Sequence, residues 1–429
     1  MEERGRAISR FLTSATKIEA SEIKATLLSF SFIFLLMVAY NMLKPSRDAL
    51  APEWSDVEVA WLWTINFILS VIAVSLYGWF VSKAKLKNVV PAVYAFFAAS
   101  FVVFYLGTGV LSDSTYLNKA FYVWLSLFSL FHVSVFWSLM SDLFSKDQAP
   151  RLFAFIASGA SIGTIVGGTI ALVLAKKLGT LNLMLIAATI LVMTIPLIVI
   201  LRTAVGDPVT NADQESSIRG NPFAGFRHFI SNPYLLGIAV FIFLYTFIGS
   251  FAYFELKNLM ADNDRDTNTA IWAGINLAVN GIAIGTAMFA TSRIATKIGL
   301  GKTLALVPLL VAAALLVVFV NPVLAIVIVM WVVLKAGNYS ITRPGREMLY
   351  TNVSREDRFK TKQVIDIVVY RGGDVFSGWV FAFLTASVGL GMGAIAVLGA
   401  IVALLWAYVG LRLGNTYDRE PYSQLDAPP

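Results

Sequence analysis

The chain has 429 residues, of which 58% are hydrophobic and 14% charged, with a mean hydropathy of +0.74. Soluble domains carry about 25% charged residues, so the composition describes a polytopic membrane protein. With no Cys, only 2 His, no paired-His helix motif and no Gly-rich Walker loop, neither a metal centre, a phosphate-cradling ATPase nor any other cofactor is expected.

The first two dozen residues are polar and carry Arg4, Arg6, Arg10, Lys17 and Lys24. They lack the short apolar core and cleavage site of a secretory signal, so the first span is expected to remain in the mature protein. Apolar runs of about 17–25 residues then predict about twelve spans. They fall at 24–46, 58–82, 89–111, 119–144, 151–175, 181–203, 233–256, 269–295, 302–320, 322–346, 363–387 and 391–412. Most of the 33 Lys and Arg lie on one side of this arrangement, among them Lys83, Lys146, Arg202, Lys297, Arg355 and Arg419. The positive-inside rule therefore puts both termini in the cytoplasm. The same bias accounts for the net charge of +7 through contact with an anionic inner leaflet, without a nucleic-acid partner.

The polar stretch 204–232, with Pro208, Gly220 and Pro222, reads as a cytoplasmic linker between two six-helix bundles, 1–203 and 233–429. The halves echo each other. Lys44 and Arg47 close the first span as Glu255 and Lys257 close the seventh, and the basic loop around Lys83 has a counterpart around Lys297, at offsets of 210 to 214 residues. Parallel repeats of this kind imply rocking bundles with a substrate held between them near the midplane. The loop echoes look like weakened copies of the cytoplasmic loop signature of the major facilitator superfamily, with Ser82 and Thr296 where that signature usually has Asp.

Three further segments carry a sharper pattern: Leu43-Lys44-Pro45-Ser46-Arg47-Asp48-Ala49-Leu50, Pro344-x-Arg346-Glu347-Met348-x-Tyr350, and Lys360-x-Lys362 followed by Ile365-Asp366 and Arg371. They resemble the nucleotide-exchange (ATP/ADP) translocases of plastids and obligate intracellular bacteria. The resemblance implies an all-α, major-facilitator-type fold and puts Arg47 where a basic residue meets the nucleotide's phosphates. It also marks two departures. Leu125 stands at a position expected to be acidic, and Asp374 stands where the exchange carriers have lysine, a place where a carboxylate repels a triphosphate.

Read on their own, Lys335 and Asp374 both reach the depth of the bilayer midplane, about 20 Å and 16 Å along their spans. Intramembrane ions mark pathways. Arg371 and Asp374, at i, i+3, can pair on one helix while Lys335 approaches from the neighbouring span. That cluster is either a switchable binding site for a proton, a cation or a cationic substrate group, or a permanent pair that fixes helix packing. Asn338 and the Arg346-Glu347 pair extend the same polar path, and Asp366 pairs with Lys362 as gate or staple. At the opposite mouth, Lys44, Arg47 and Asp48 are expected to gate or contact substrate, with Pro45 loosening their helix; Glu255 and Lys257 either close that mouth or snorkel. Lys83 and Lys297 support gating. His132 is either a proton relay or a histidine hydrogen-bonded between helices. Asp142 and Arg151 are expected to cap or bridge helices. The stripe Gly159, Gly163, Gly167 serves close helix approach.

The expected protein is a monomeric, multi-pass secondary carrier of the inner membrane, with the lipid bilayer and a small-molecule substrate as partners. Nucleotide or organic-anion exchange is the leading function. The alternatives are proton-coupled transport of another small solute and a non-transport sensor or scaffold.

Overall fold

A computed structural model describes residues 18–83, 86–145, 147–205, 232–289, 297–353 and 368–419. Apart from short turns and connections these residues are helical, with no strand among them. In chain order the long helices are α1 (Ile23–Asp48), α2 (Asp56–Lys83), α3 (Leu86–Val110), α4 (Thr115–Leu143), α5 (Ala149–Leu178) and α6 (Thr180–Val205). The second half holds α7 (Pro233–Leu259), α8 (Arg265–Phe289), α9 (Leu300–Val320), α10 (Leu324–Gly337), α11 (Arg343–Leu349), α12 (Tyr370–Ala382) and α13 (Met392–Arg419). Eleven helical segments among the described residues are long and apolar enough to cross a membrane, α10 and α11 counting as parts of one. The span expected at 363–387 is described only from residue 368, and α12 alone falls short of that length. Most of the linker, residues 206–231, lies outside the described residues, as does Asp366.

The chain gathers into two compact units. One comprises Met1–Leu50, Ile68–Glu215 and Asp264–Gly274; the other comprises Ala51–Phe67, Ser216–Asn263 and Ile275–Pro429. In the first, α1 packs on α4, α5 and α6. The glycine stripe of α5 makes this possible: a Cβ at Gly159 would sit 2.7 Å from the Phe30 carbonyl oxygen, and at Gly163 and Gly167 it would press still closer on the Phe34 and Val38 carbonyls. Small residues thus let two backbones touch, as the sequence pattern requires. Asn41 donates to Thr164 across the same seam at 3.3 Å. Contrary to the expected loosening, α1 stays helical through Pro45, and the Ala49 amide donates to the Pro45 carbonyl at 2.9 Å.

In the second unit, α7 is the hub. It packs on α10, α12 and α13, and α13 packs in turn on α9. Phe241, Tyr245, Phe251 and Phe254 of α7 meet Trp406, Tyr370 and Phe381. The helix begun by α10 widens into a π turn over Asn338–Thr342, where the Arg343 amide donates to the Asn338 carbonyl. Pro344 explains the widening, because it supplies no N–H and its ring would strike the carbonyl four residues back in a regular α-helix. Such single π turns recur beside functional sites, and this one follows Lys335 directly.

Candidate functional site

In the second unit, two cations, half-buried Lys335 and buried Arg346, bracket two tyrosines. The Lys335 ammonium of α10 sits 4.6 Å from the centre of the Trp331 ring and 5.2 Å from that of Tyr245, and it donates to the Tyr245 hydroxyl at 3.3 Å. Gly249, one turn further along α7, makes room for it, since a Cβ there would lie 3.3 Å from Nζ. Tyr245 meets Tyr370 of α12 edge to face at 6.3 Å. Arg346 of α11 completes the row by donating from Nη1 to the Tyr370 hydroxyl at 2.6 Å and from Nη2 to Glu347 at 3.1 Å. Arg346 is 6% exposed, and its Nε has no hydrogen-bond partner among the described residues. The Arg346 guanidinium, paired with Glu347, keeps Nε as a donor for an anion, and the Trp331, Tyr245 and Tyr370 rings stabilise the two cations without neutralising them.

Asp374 lies half-buried one turn beyond Tyr370 and accepts from Ser250 of α7 at 3.5 Å, with Lys335 and Arg371 close enough to act on it electrostatically. Lys335 makes no ion pair with it; the ammonium is held at Tyr245 and Trp331 instead. The structure thus brings Lys335 and Arg371 near Asp374, while the Lys335 ammonium takes Tyr245 as its hydrogen-bond partner. Asn338 is buried at the start of the π turn. Tyr245, Tyr370 and Trp331 were not singled out in the sequence, because aromatic residues at helical spacing read as ordinary core.

In the first unit, Arg47 donates to Asp48 through both Nε, at 2.9 Å, and Nη2, and from Nη1 to Ser126 of α4 at 3.0 Å. Its guanidinium lies over the Tyr122 ring at 5.2 Å. Asp48 is 3% exposed and Lys44 is half-buried. His132 is buried with Nδ1 at 3.0 Å from the Ser129 carbonyl of its own helix, its ring 4.2 Å from that of Tyr40, and Nε2 without a partner. Among the described residues its ring makes no hydrogen bond to another helix, whereas its carbonyl accepts from the Tyr94 hydroxyl of α3 at 2.8 Å.

Lys257 is 2% exposed and does not snorkel. It pairs with Asp56 at 3.0 Å and donates to the Trp54 carbonyl at 2.8 Å and to Asn258 Oδ1 at 2.7 Å. Thr385 donates to the other Asp56 oxygen at 2.8 Å, and Trp379 donates to Thr64 at 3.0 Å. The start of α2 is thereby tied to the ends of α7 and α12. Its repeat counterpart, Asp266 at the start of α8, accepts from the Thr180 amide and hydroxyl at 2.7 Å each. Asp56 and Asp266 stand 210 residues apart, the offset that already related Arg47 to Lys257, so the repeat held the signal for both. Glu255 takes no part in this link; it is 1% exposed, and neither carboxylate oxygen has a hydrogen-bond partner among the described residues.

Arg151 bridges helices as expected, pairing with Glu22 at 2.9 Å. Burial pushes the Glu22 carboxyl up, but hydrogen bonds from Arg151, the Glu19 amide and Gln148 together hold it below its usual range. Lys297 is exposed. The side chain of Lys83, which closes α2, lies outside the described residues.

Membrane-length helices that bury cations and aromatic rings in their interior define a membrane transporter. The chain belongs to the Major Facilitator Superfamily, whose family profile matches residues 25–358. Solved structures agree on the fold. A mutant of the nucleoside transporter NupG is 13% identical with a TM-score of 0.62, covering 92% of this chain and 99% of its own. NupG itself is 12% identical with a TM-score of 0.59 over the same shares. A bacterial homologue of the human lysosomal transporter Spinster, in an inward-facing and unoccupied conformation, is 12% identical with a TM-score of 0.56, covering 93% of this chain and 97% of its own. No curated protein matches the chain in sequence.

Proposed function

We propose that this facilitator is a secondary carrier that exchanges nucleotides or closely related aromatic organic anions across a bacterial-type inner membrane, with both termini cytoplasmic. The observation that carries the reading is the row Trp331, Lys335, Tyr245, Tyr370, Arg346, with the unpartnered Arg346 Nε at its end. Phosphates suit the cations, through charge-assisted hydrogen bonds. A nucleobase suits the aromatic faces. Arg47, over Tyr122, repeats the cation and ring combination on a smaller scale, and the resemblance to nucleotide translocases supports the same chemistry.

In this scheme 1–203 and 233–429 are the two rocking bodies, and the Asp56–Lys257 and Asp266–Thr180 contacts close the outer side. Opening that side requires them to break. Asp374, a carboxylate among the cations, favours a second reading, in which the cargo is an uncharged nucleoside or a zwitterion carried with a proton. Thermal-shift titration of the purified protein with ADP, ATP, adenosine and organic acids separates the two, because a ligand bound only by the folded state raises its melting temperature. Stabilisation by ADP and ATP, weakened in Arg346→Gln, is expected. Stabilisation by adenosine alone would replace the first reading by the second.

A further inference from the structure

We propose that Arg343 is a third anion-binding cation of this site, brought into line with Lys335 by the π turn, and that the stripe Lys335, Tyr339, Arg343 binds longer polyphosphate chains in preference to shorter ones. The inference rests on the anion-exchange reading above and adds to it how a longer anion is told from a shorter one. In a regular α-helix the position eight residues on from Lys335 is turned about 80° away from it. Here the Arg343 amide donates to the Asn338 carbonyl, five residues back. One extra residue is taken up in that turn, so Arg343 falls where position i+7 would otherwise be, about 20° from Lys335. Tyr339 lies between them on the same face.

Exposure follows that register. Tyr339 is 43% exposed and Arg343 is exposed, whereas Asn338, Ser340, Ile341 and Thr342 are buried. The opposite side of the helix is given to α9: a Cβ at Gly337 would lie 2.8 Å from Val307, and one at Gly345 would lie 3.0 Å from Leu304. On the stripe's own side, Lys335 donates to Tyr245, and Tyr339 is close enough to act on the same tyrosine electrostatically. The Gly345 contact sets Arg343 beside the first turns of α9, within the span. An exposed guanidinium at that depth reaches water and not hydrocarbon. Among the described residues no carboxylate pairs with it, and Glu347, one turn further along the stripe, is taken by Arg346.

Lys335 and Arg343 stand about 12 Å apart along the helix axis. Their long side chains close that gap from both ends around a chain of linked phosphates, through charge-assisted hydrogen bonds. Arg346, about 80° round the same helix, offers its Nε from the side. A single phosphate meets one end of the stripe only, while a triphosphate reaches both.

The test is thermal-shift titration of the full-length protein with inorganic phosphate, pyrophosphate and tripolyphosphate at matched ionic strength. In the wild type the half-saturating concentration should fall several-fold with each added phosphate. In Arg343→Gln tripolyphosphate should bind no more tightly than pyrophosphate, and Arg343→Lys should restore part of the preference. Lys302→Gln removes an exposed cation at the start of α9, off the stripe, and should keep the preference whole. A preference that survives Arg343→Gln would overturn the proposal. So would an equal loss in Lys302→Gln, which would reduce the effect to overall charge, or the absence of any shift with the three anions. The probes carry no nucleobase, so tripolyphosphate binding by a protein that carries no ADP would count against the nucleotide reading alone.

Discussion

The Lys257 ammonium lies 3.0 Å from the Asp56 carboxylate, joining the end of α7 to the start of α2 inside one compact unit. Removing one member of a buried pair strands the other. Lys257→Met is therefore expected to destabilise the fold by about 3–5 kcal/mol. The double change with Asp56→Asn should recover part of that loss. Thermal unfolding in detergent checks the cycle, and additive losses would mean that the two charges do not act as a pair.

Tyr245 is expected to hold Lys335 in place for the substrate. Tyr245→Leu removes the ring under the ammonium as well as the hydroxyl, which should cost about 1–2 kcal/mol of anion affinity, or roughly 5- to 30-fold in apparent KM. Tyr245→Phe keeps the ring and should lose less. Transport kinetics in proteoliposomes give both values, and equal losses in the two variants would assign the effect to the hydroxyl.

The sequence made the helices plain, because apolar runs of membrane length admit few other readings. It also placed Lys335, Arg346 and Arg47 among the polar residues of the interior. Partner choice was hidden for a physical reason. Lys335 does come near Asp374, yet its ammonium takes Tyr245 and Trp331 as its direct partners, since an aromatic face is a partner that sequence spacing alone does not reveal. Likewise, Glu255 was expected to act with Lys257 at the mouth. The angle of about 200° between positions i and i+2 of a helix turns them apart and leaves Lys257 to Asp56.

The contact of α1 with α5 rests on backbone touching backbone. Gly163→Ala forces a methyl against the Phe34 carbonyl and should cost about 1–3 kcal/mol. Gly109, near the end of α3, has nothing within 4 Å of an added Cβ, so Gly109→Ala should stay within about 0.5 kcal/mol of the parent. Melting temperatures of the two variants decide it, and a neutral Gly163→Ala would show that the two helices separate without cost.

Acid should weaken the Glu22–Arg151 bridge. The carboxyl is held below its usual range in the folded chain, so its stabilisation is present above the unfolded value of about 4.3. It is lost as pH falls below that through the folded value. Melting profiles from pH 7 down to pH 3 should therefore steepen in the wild type relative to Glu22→Gln. Parallel profiles would remove Glu22 from the account.

The most direct measurement of the exchange account is release of labelled ADP from preloaded proteoliposomes on addition of external ATP. Rapid release is expected in the wild type, with a severalfold higher half-saturating ATP concentration in Arg47→Ala and Arg346→Gln. No release with any nucleoside phosphate, in vesicles that do take up another solute, would contradict it.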